Sequence, residues 1–345
     1  MAQIAIIILL LIGVHFCQFR YPFISIFEVK NNSETRHTGY VLDYRTTTAI
    51  KGLSMLFILV GHISGTFGTV IYSPLPPIGV FLFLFLSGFG LCESQRKNGL
   101  SSFWIKKITR VLIPYAIVIT GVWIFSQYEF DLWKYILEIT GLKTSYWYIA
   151  FQMKWYIVFF IVMSIIPNRT IELLAVVGVV LFFTQDAIEI EQVIAFPLGA
   201  VASKYKSSLQ NFPRKYLWWI LITSMIIGTM FLGIRQIAVI RSIIDSPIYC
   251  GIYLLQNCAF SIAVITLFSL FRSLSKSTLL IYSGVVSYEM YLLHFPFYGM
   301  TDGRIELAII LVIASLIAAA IFYSFNNKLA KTMTNIINRL KTKNA

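Results

Sequence analysis

Charge is what this sequence has least of. Only 12% of its 345 residues are Asp, Glu, Lys or Arg, roughly half the share of a water-soluble protein. A globular soluble protein is excluded on that ground, and a mean hydropathy of +0.77 agrees. Cysteine is scarce too. Cys17, Cys92, Cys250 and Cys258 all sit in or beside apolar runs. Cys250 and Cys258 fall on one expected helix, too far apart to bridge. No cluster has metal-ligand spacing, so no metal is expected. No segment alternates polar and apolar residues over its length, which excludes a β-barrel. Interdomain linkers, internal repeats and room for a large soluble domain are also missing. A basic folded surface is absent, so nucleic acid is not an expected partner. No positive charge precedes Arg20, where a cleavable secretory signal would carry one. Residues 1–19 are therefore expected as a retained anchor.

What remains is apolar runs, many near or above the roughly 18 residues that cross a bilayer. Lipid leaves the helix as the remaining option. The expected fold class is all-α, a polytopic transmembrane helical bundle. Spans are expected at 3–19, 47–68, 77–94, 108–127, 147–166, 171–185, 190–203, 216–234, 248–271, 278–298 and 306–325. Residues 1–45 form an N-terminal helix and inner linker, 46–325 the membrane domain, and 326–345 a basic cytoplasmic tail. With the N-terminus outside, the inner segments hold 22 of the 28 Lys and Arg residues. This positive-inside bias sets the C-terminus in the cytoplasm. It also accounts for the net charge of +13 through topology rather than through a polyanionic partner.

Ionisable groups inside spans are expensive, so each is a candidate for function. They are His15, His62, Lys154, Glu289 and His294, with Gln152, Gln256 and Asn257 adding uncharged polarity. His62 lies in "VGHISG" near the outer end of its helix, between Gly61 and Gly65. Those glycines let another backbone or a substrate approach closely. His294 lies in "SYEMYLLHFPF", at a matching depth if the two helices are neighbours. Tyr291 shares its helical face, whereas Glu289 points elsewhere. A neutral histidine accepts a proton near pH 7; cross-helix packing is the other use for it.

Two further features stand out. The stretch "ESQRKNGLSSFWIKKITRVLIPY" carries Lys106, Lys107 and Arg110 at spacings that share a helical face. Such a face holds phosphates, or else lipid headgroups. Trp147, Tyr148, Trp155 and Tyr156 read as an interfacial aromatic belt, with Lys154 snorkelling outward.

Four stretches, taken in order, resemble the acyltransferase-3 family of integral membrane acyltransferases. They are "AIKGLSMLFILVGH" ending on His62, "GVFLFLFLSGFGL", "FWIKKITRVLIPY" and "VSYEMYLLHFPF". The resemblance implies a ten-helix core, to which the helix at 3–19 is an addition. It implies transfer of an acyl group, usually acetyl, from cytosolic acyl-CoA to a hydroxyl of an extracytoplasmic sugar. That places the protein in the plasma (inner) membrane, with a glycan or lipid-linked sugar as acceptor and lipids as surroundings. It puts the essential histidine on His62, with His294 and Tyr291 as further catalytic candidates. The family's Arg-x-x-Arg falls on Lys107 and Arg110, where lysine gives a point charge in place of a bidentate fork. With Lys106 these are the expected acyl-CoA contacts. Lys51 and Ser54 stand where the family often has an acid and an arginine. Lys51, near the inner face, joins the expected cofactor contacts. The rival expectation is a transporter that exports acyl groups or glycan without chemistry.

Overall fold

A computed structural model describes residues 42–125, 130–296 and 304–343, with side chains of the last helix described to residue 336. The expected helix at 3–19, with His15 and Cys17, lies outside the described residues, as does nearly all of the inner linker. Among the described residues every regular element is helical.

In chain order the helices are α1 (Tyr44–Thr66), α2 (Leu75–Asn98), α3 (Phe103–Phe125), α4 (Leu132–Ile139), α5 (Trp147–Ile165), α6 (Thr170–Thr184), α7 (Ala187–Ile190), α8 (Ala195–Lys204), α9 (Lys206–Gln210), α10 (Arg214–Ile234), α11 (Ala238–Arg241), α12 (Pro247–Leu270), α13 (Thr278–Val285), α14 (Ser287–His294) and α15 (Ile305–Lys343). Eight of these stretches are long and apolar enough to cross a membrane: α1, α2, α3, α5, α6 with its preceding turn, α10, α12 and α15. The protein is a multi-pass membrane protein. Two expected spans take another form. The stretch 190–203 yields only the 10-residue α8. The stretch 278–298 breaks at Val286 into α13 and α14, 8 residues each. Ser287 covers the break by donating its hydroxyl to the Gly284 carbonyl at 2.9 Å, as freed backbone in a membrane protein requires. The ten-helix count is therefore not what the described residues display. The last helix runs unbroken from the expected span at 306–325 to Lys343; at 1.5 Å per residue that is about 58 Å, well beyond the roughly 30 Å hydrocarbon core.

The centre of the bundle is α2, which packs most extensively on α8 and α1. Lipid gives no hydrophobic drive between helices, so close backbone packing must supply the attraction. Glycines make it possible. A Cβ at Gly88 would overlap the Phe196 carbonyl, and one at Gly199 the Phe85 carbonyl. The same reciprocal fit joins α1 to α13, Gly52 against Leu280 and Gly284 against Thr48. Gly61 is filled in this way by Pro76 of α2, whereas Gly65 faces open space. Gly199→Val should therefore separate α2 from α8 and lower the melting temperature of the detergent-solubilised protein, at a cost of about 1–3 kcal/mol or more. Gly65→Ala should leave it unchanged. Equal melting of the two variants would contradict this account of the packing.

Candidate active site

The basic end of the bundle sorts its cations into two groups. At the foot of α2, Glu93 takes Lys206 Nζ at 2.6 Å, Arg96 Nη1 at 2.7 Å and the Ser203 hydroxyl at 2.7 Å. Both cations share one carboxylate partner. Lys51, Lys106, Lys107 and Arg110 have no carboxylate partner among the described residues. All four line one cavity of about 460 Å³. Lys107 lies over the ring of Tyr156, 4.1 Å from its centroid. Part of the reason they converge is local. The helix widens to a π-turn at Ile108–Leu112, a distortion common at functional sites. A cavity with four unpaired cations fits a polyanion far better than it fits lipid tails or water alone.

Away from the cations the cavity is lined by polar groups, one of them a carboxyl. Gln152 donates to Tyr156 Oη at 2.6 Å and to Ser87 Oγ at 3.2 Å. Glu289, the one carboxylate in the lining, accepts from Asn326 Nδ2 at 3.1 Å. The carbonyl oxygen of Asn326 has no partner. Beyond these stand Tyr148 and Tyr291, with ring centroids 5.2 Å apart. Both line the cavity.

Behind Tyr291 is a histidine pair. Its ring lies 5.6 Å from that of His294. His62 Nδ1 and His294 Nε2 are 3.1 Å apart and hydrogen-bonded. His294 is fully buried, and its Nδ1 meets the carbonyls of Tyr291 at 2.8 Å and Met290 at 3.2 Å. A carbonyl only accepts, so His294 Nδ1 carries the hydrogen and donates it. In neutral His294 the Nε2 is then an acceptor, and His62 Nδ1 must donate to it. The basic lone pair of neutral His62 is thereby fixed on Nε2, an assignment made from the bonding pattern. Short α14 is anchored from both sides for this purpose. Tyr146 Oη donates to the Leu292 carbonyl at 2.8 Å, and Tyr288 Oη to that of Val111 at 2.7 Å.

The cationic cavity and the histidine pair share α1. Lys51 and His62 lie three helical turns apart, about 16 Å along the axis and within about 20° of the same face. Of the expected site residues, Lys51, Lys106, Lys107, Arg110 and Tyr291 meet in the cavity. His62 and His294 meet each other just beyond it. Neither imidazole lines the cavity; Tyr291 touches both places.

Other expectations come out differently. Tyr148, Trp155 and Tyr156 are buried at 5%, 0% and 4% exposure and are not an interfacial belt. Lys154 reaches past the end of α6, and there it is ion-paired to Glu189 at 2.8 Å and bonded to Gln185 at 2.6 Å rather than unpartnered. Tyr148, Ser87 and Asn326 were not foreseen at the site. Ser87 and Asn326 carry no sequence signal, and Tyr148 was hidden by its aromatic neighbours. No group of three metal-ligating side chains forms among the described residues.

No curated protein and no solved structure matches the chain. The family described as an acyltransferase domain, Acyl_transf_3, matches residues 47–326. That stretch begins in α1 below the histidine and closes on Asn326 of the cavity, and the chain belongs to the acyltransferase-3 family of membrane acyltransferases.

Proposed function

We propose that the protein is an O-acetyltransferase of the plasma membrane, moving acetyl from cytosolic acetyl-CoA to a hydroxyl of an extracytoplasmic sugar. The observation that carries this reading is the cavity, with unpaired cations at one end and a tyrosine touching the histidine pair at the other. The basic end faces the cytoplasm, in keeping with the positive-inside bias. Lys51, Lys106, Lys107 and Arg110 hold the diphosphate and 3′-phosphate of the donor through charge-assisted hydrogen bonds. The acyl arm runs along the polar lining beyond the cations, where Gln152, Tyr156 and Asn326 suit its amides. It passes Tyr291 to bring the thioester to His62.

His62 Nε2 takes the proton of the sugar hydroxyl. The alkoxide oxygen forms a bond to the thioester carbonyl carbon, the carbon–sulfur bond breaks, and the proton returns from His62 to the departing sulfur. His294 is a positioning residue. Both of its nitrogens are committed, so it does not serve the oxyanion. The Tyr291 hydroxyl, which makes no hydrogen bond among the described residues, donates to the oxyanion.

The test is the ester content of the host's surface polysaccharide. Cells lacking the gene should lose base-labile acetyl groups, and the wild-type gene should restore them. Membranes should release free CoA from labelled acetyl-CoA only when deacetylated polysaccharide is added. Unchanged ester content in the deleted strain would refute the proposal, and so would acetyl export without CoA release.

A further inference from the structure

The end of the bundle opposite the cations holds a second group of buried polar side chains that the transfer chemistry above does not use. Arg235, just past the end of α10, lays its guanidinium on the Tyr253 ring, 3.2 Å from the centroid. It donates Nη1 to the Gln256 carbonyl at 2.8 Å, and Nε and Nη2 to Tyr249 Oη at 3.3 and 3.1 Å. With its oxygen held, Gln256 leaves Nε2 without a partner, although the residue is fully buried on α12. The turn after α7, which packs on α12, adds two more unused groups. Gln192 is 1% exposed; it gives Nε2 to the Pro77 carbonyl at 3.3 Å and leaves Oε1 bare. Glu191 is 8% exposed, and its carboxyl makes no hydrogen bond or ion pair among the described residues. Arg235 and Asp245 are the charges that act on it.

Buried polar groups in a native protein are nearly always satisfied. Here a carbonyl oxygen of Gln192 and an amide nitrogen of Gln256 are left open among the described residues, with the Glu191 carboxyl next to Gln192 in the chain, while a braced arginine holds the Gln256 amide in place. A site pre-organised for a ligand is built this way, its rotamers locked by partners of their own. The ligand must supply hydrogen-bond donors to Glu191 and Gln192 and an acceptor to Gln256. Arg235 opposes a cation and Glu191 opposes an anion, which leaves a neutral molecule. Adjacent hydroxyl groups, each donor and acceptor at once, meet these demands. The position is apt as well. Pro77, bonded to Gln192, follows Pro76, which packs on Gly61 beside His62. Subsite and base lie on two sides of one turn of α2.

We infer that Glu191, Gln192 and Gln256, braced by Arg235, form the subsite that recognises the neutral polyhydroxylated acceptor. This rests on the sugar acceptor proposed above. The test uses the full chain in lipid nanodiscs, where both faces are accessible, with labelled acetyl-CoA and polysaccharide from the gene-deleted host. Glu191→Leu, nearly the same size, should raise KM for the polysaccharide about tenfold, the loss of one good hydrogen bond. KM for acetyl-CoA should stay, and the melting temperature should hold or rise, because an unsatisfied buried carboxyl has gone. Glu191→Gln, which keeps one oxygen, should recover part of the loss, and Gln192→Leu should repeat it. An unchanged acceptor KM in both Leu variants overturns the subsite. So does an earlier melting with donor and acceptor use lost together, which marks a structural role. If wild-type protein itself transfers nothing to the polysaccharide, the acceptor reading falls first and the subsite with it.

Discussion

His62→Ala, reconstituted in nanodiscs, should transfer acetyl from acetyl-CoA to polysaccharide about 10²–10⁴ times more slowly than wild type, the usual worth of a placed general base. Acetyl-CoA should still bind, because the cationic cavity is lined by other residues. The loss should appear in kcat, since the proton leaves the hydroxyl only as the new bond forms. His294 supplies the control. His294→Ala removes the acceptor that fixes Nδ1–H of His62 and should also lower kcat. His294→Gln offers an amide oxygen in its place and should recover part of the rate. A packing role predicts the reverse order of severity, because His294 is fully buried whereas His62 is not. A wild-type rate in His62→Ala would sink the mechanism outright.

The same pair shows what was legible in the chain. An imidazole in lipid is costly, so His62 and His294 announced themselves, and equal depth from one face suggested their meeting. Of the four cavity cations, Lys106, Lys107 and Arg110 were legible through their helical spacing, and Lys51 through the family resemblance. Tyr148 and Tyr156 were not. In water, the buried face of a helix is marked by its apolar stripe. In lipid both faces are apolar, so the stripe vanishes. In α5 the buried Tyr148, Phe151 and Trp155 are as apolar as the exposed Ile157 and Ile161, and its two central polar residues, buried Gln152 and exposed Lys154, fall on different faces. The break at Val286 was hidden likewise, since the run 278–298 reads as one continuous span. Glu93 stands one turn before Arg96, so that pair is local; only the fold brings Lys206 to the same carboxylate and leaves Lys107 without one.

That unpaired state is the basis of the second large effect. Lys107→Met with Arg110→Met should raise KM for acetyl-CoA about 10–10³-fold, two hydrogen bonds to charged groups at roughly 1.5–3 kcal/mol each, discounted for the exposure of Arg110. KM for S-acetyl-pantetheine, which carries neither the diphosphate nor the 3′-phosphate, should barely move. The preference of the enzyme for the CoA thioester over its phosphate-free analogue should therefore shrink by the same factor. Salt is a second probe: raising ionic strength should weaken acetyl-CoA use by wild type more than by the double variant, because fewer charges remain to be screened. Removing unpaired like charges from one cavity should leave the melting temperature level or higher. Cations that serve only to face lipid headgroups predict something else, a change in membrane insertion with no difference between the two donors. Equal losses on both donors would mean that the cavity holds the acyl arm but not the phosphates, and would move the donor's nucleotide away from Lys107 and Arg110.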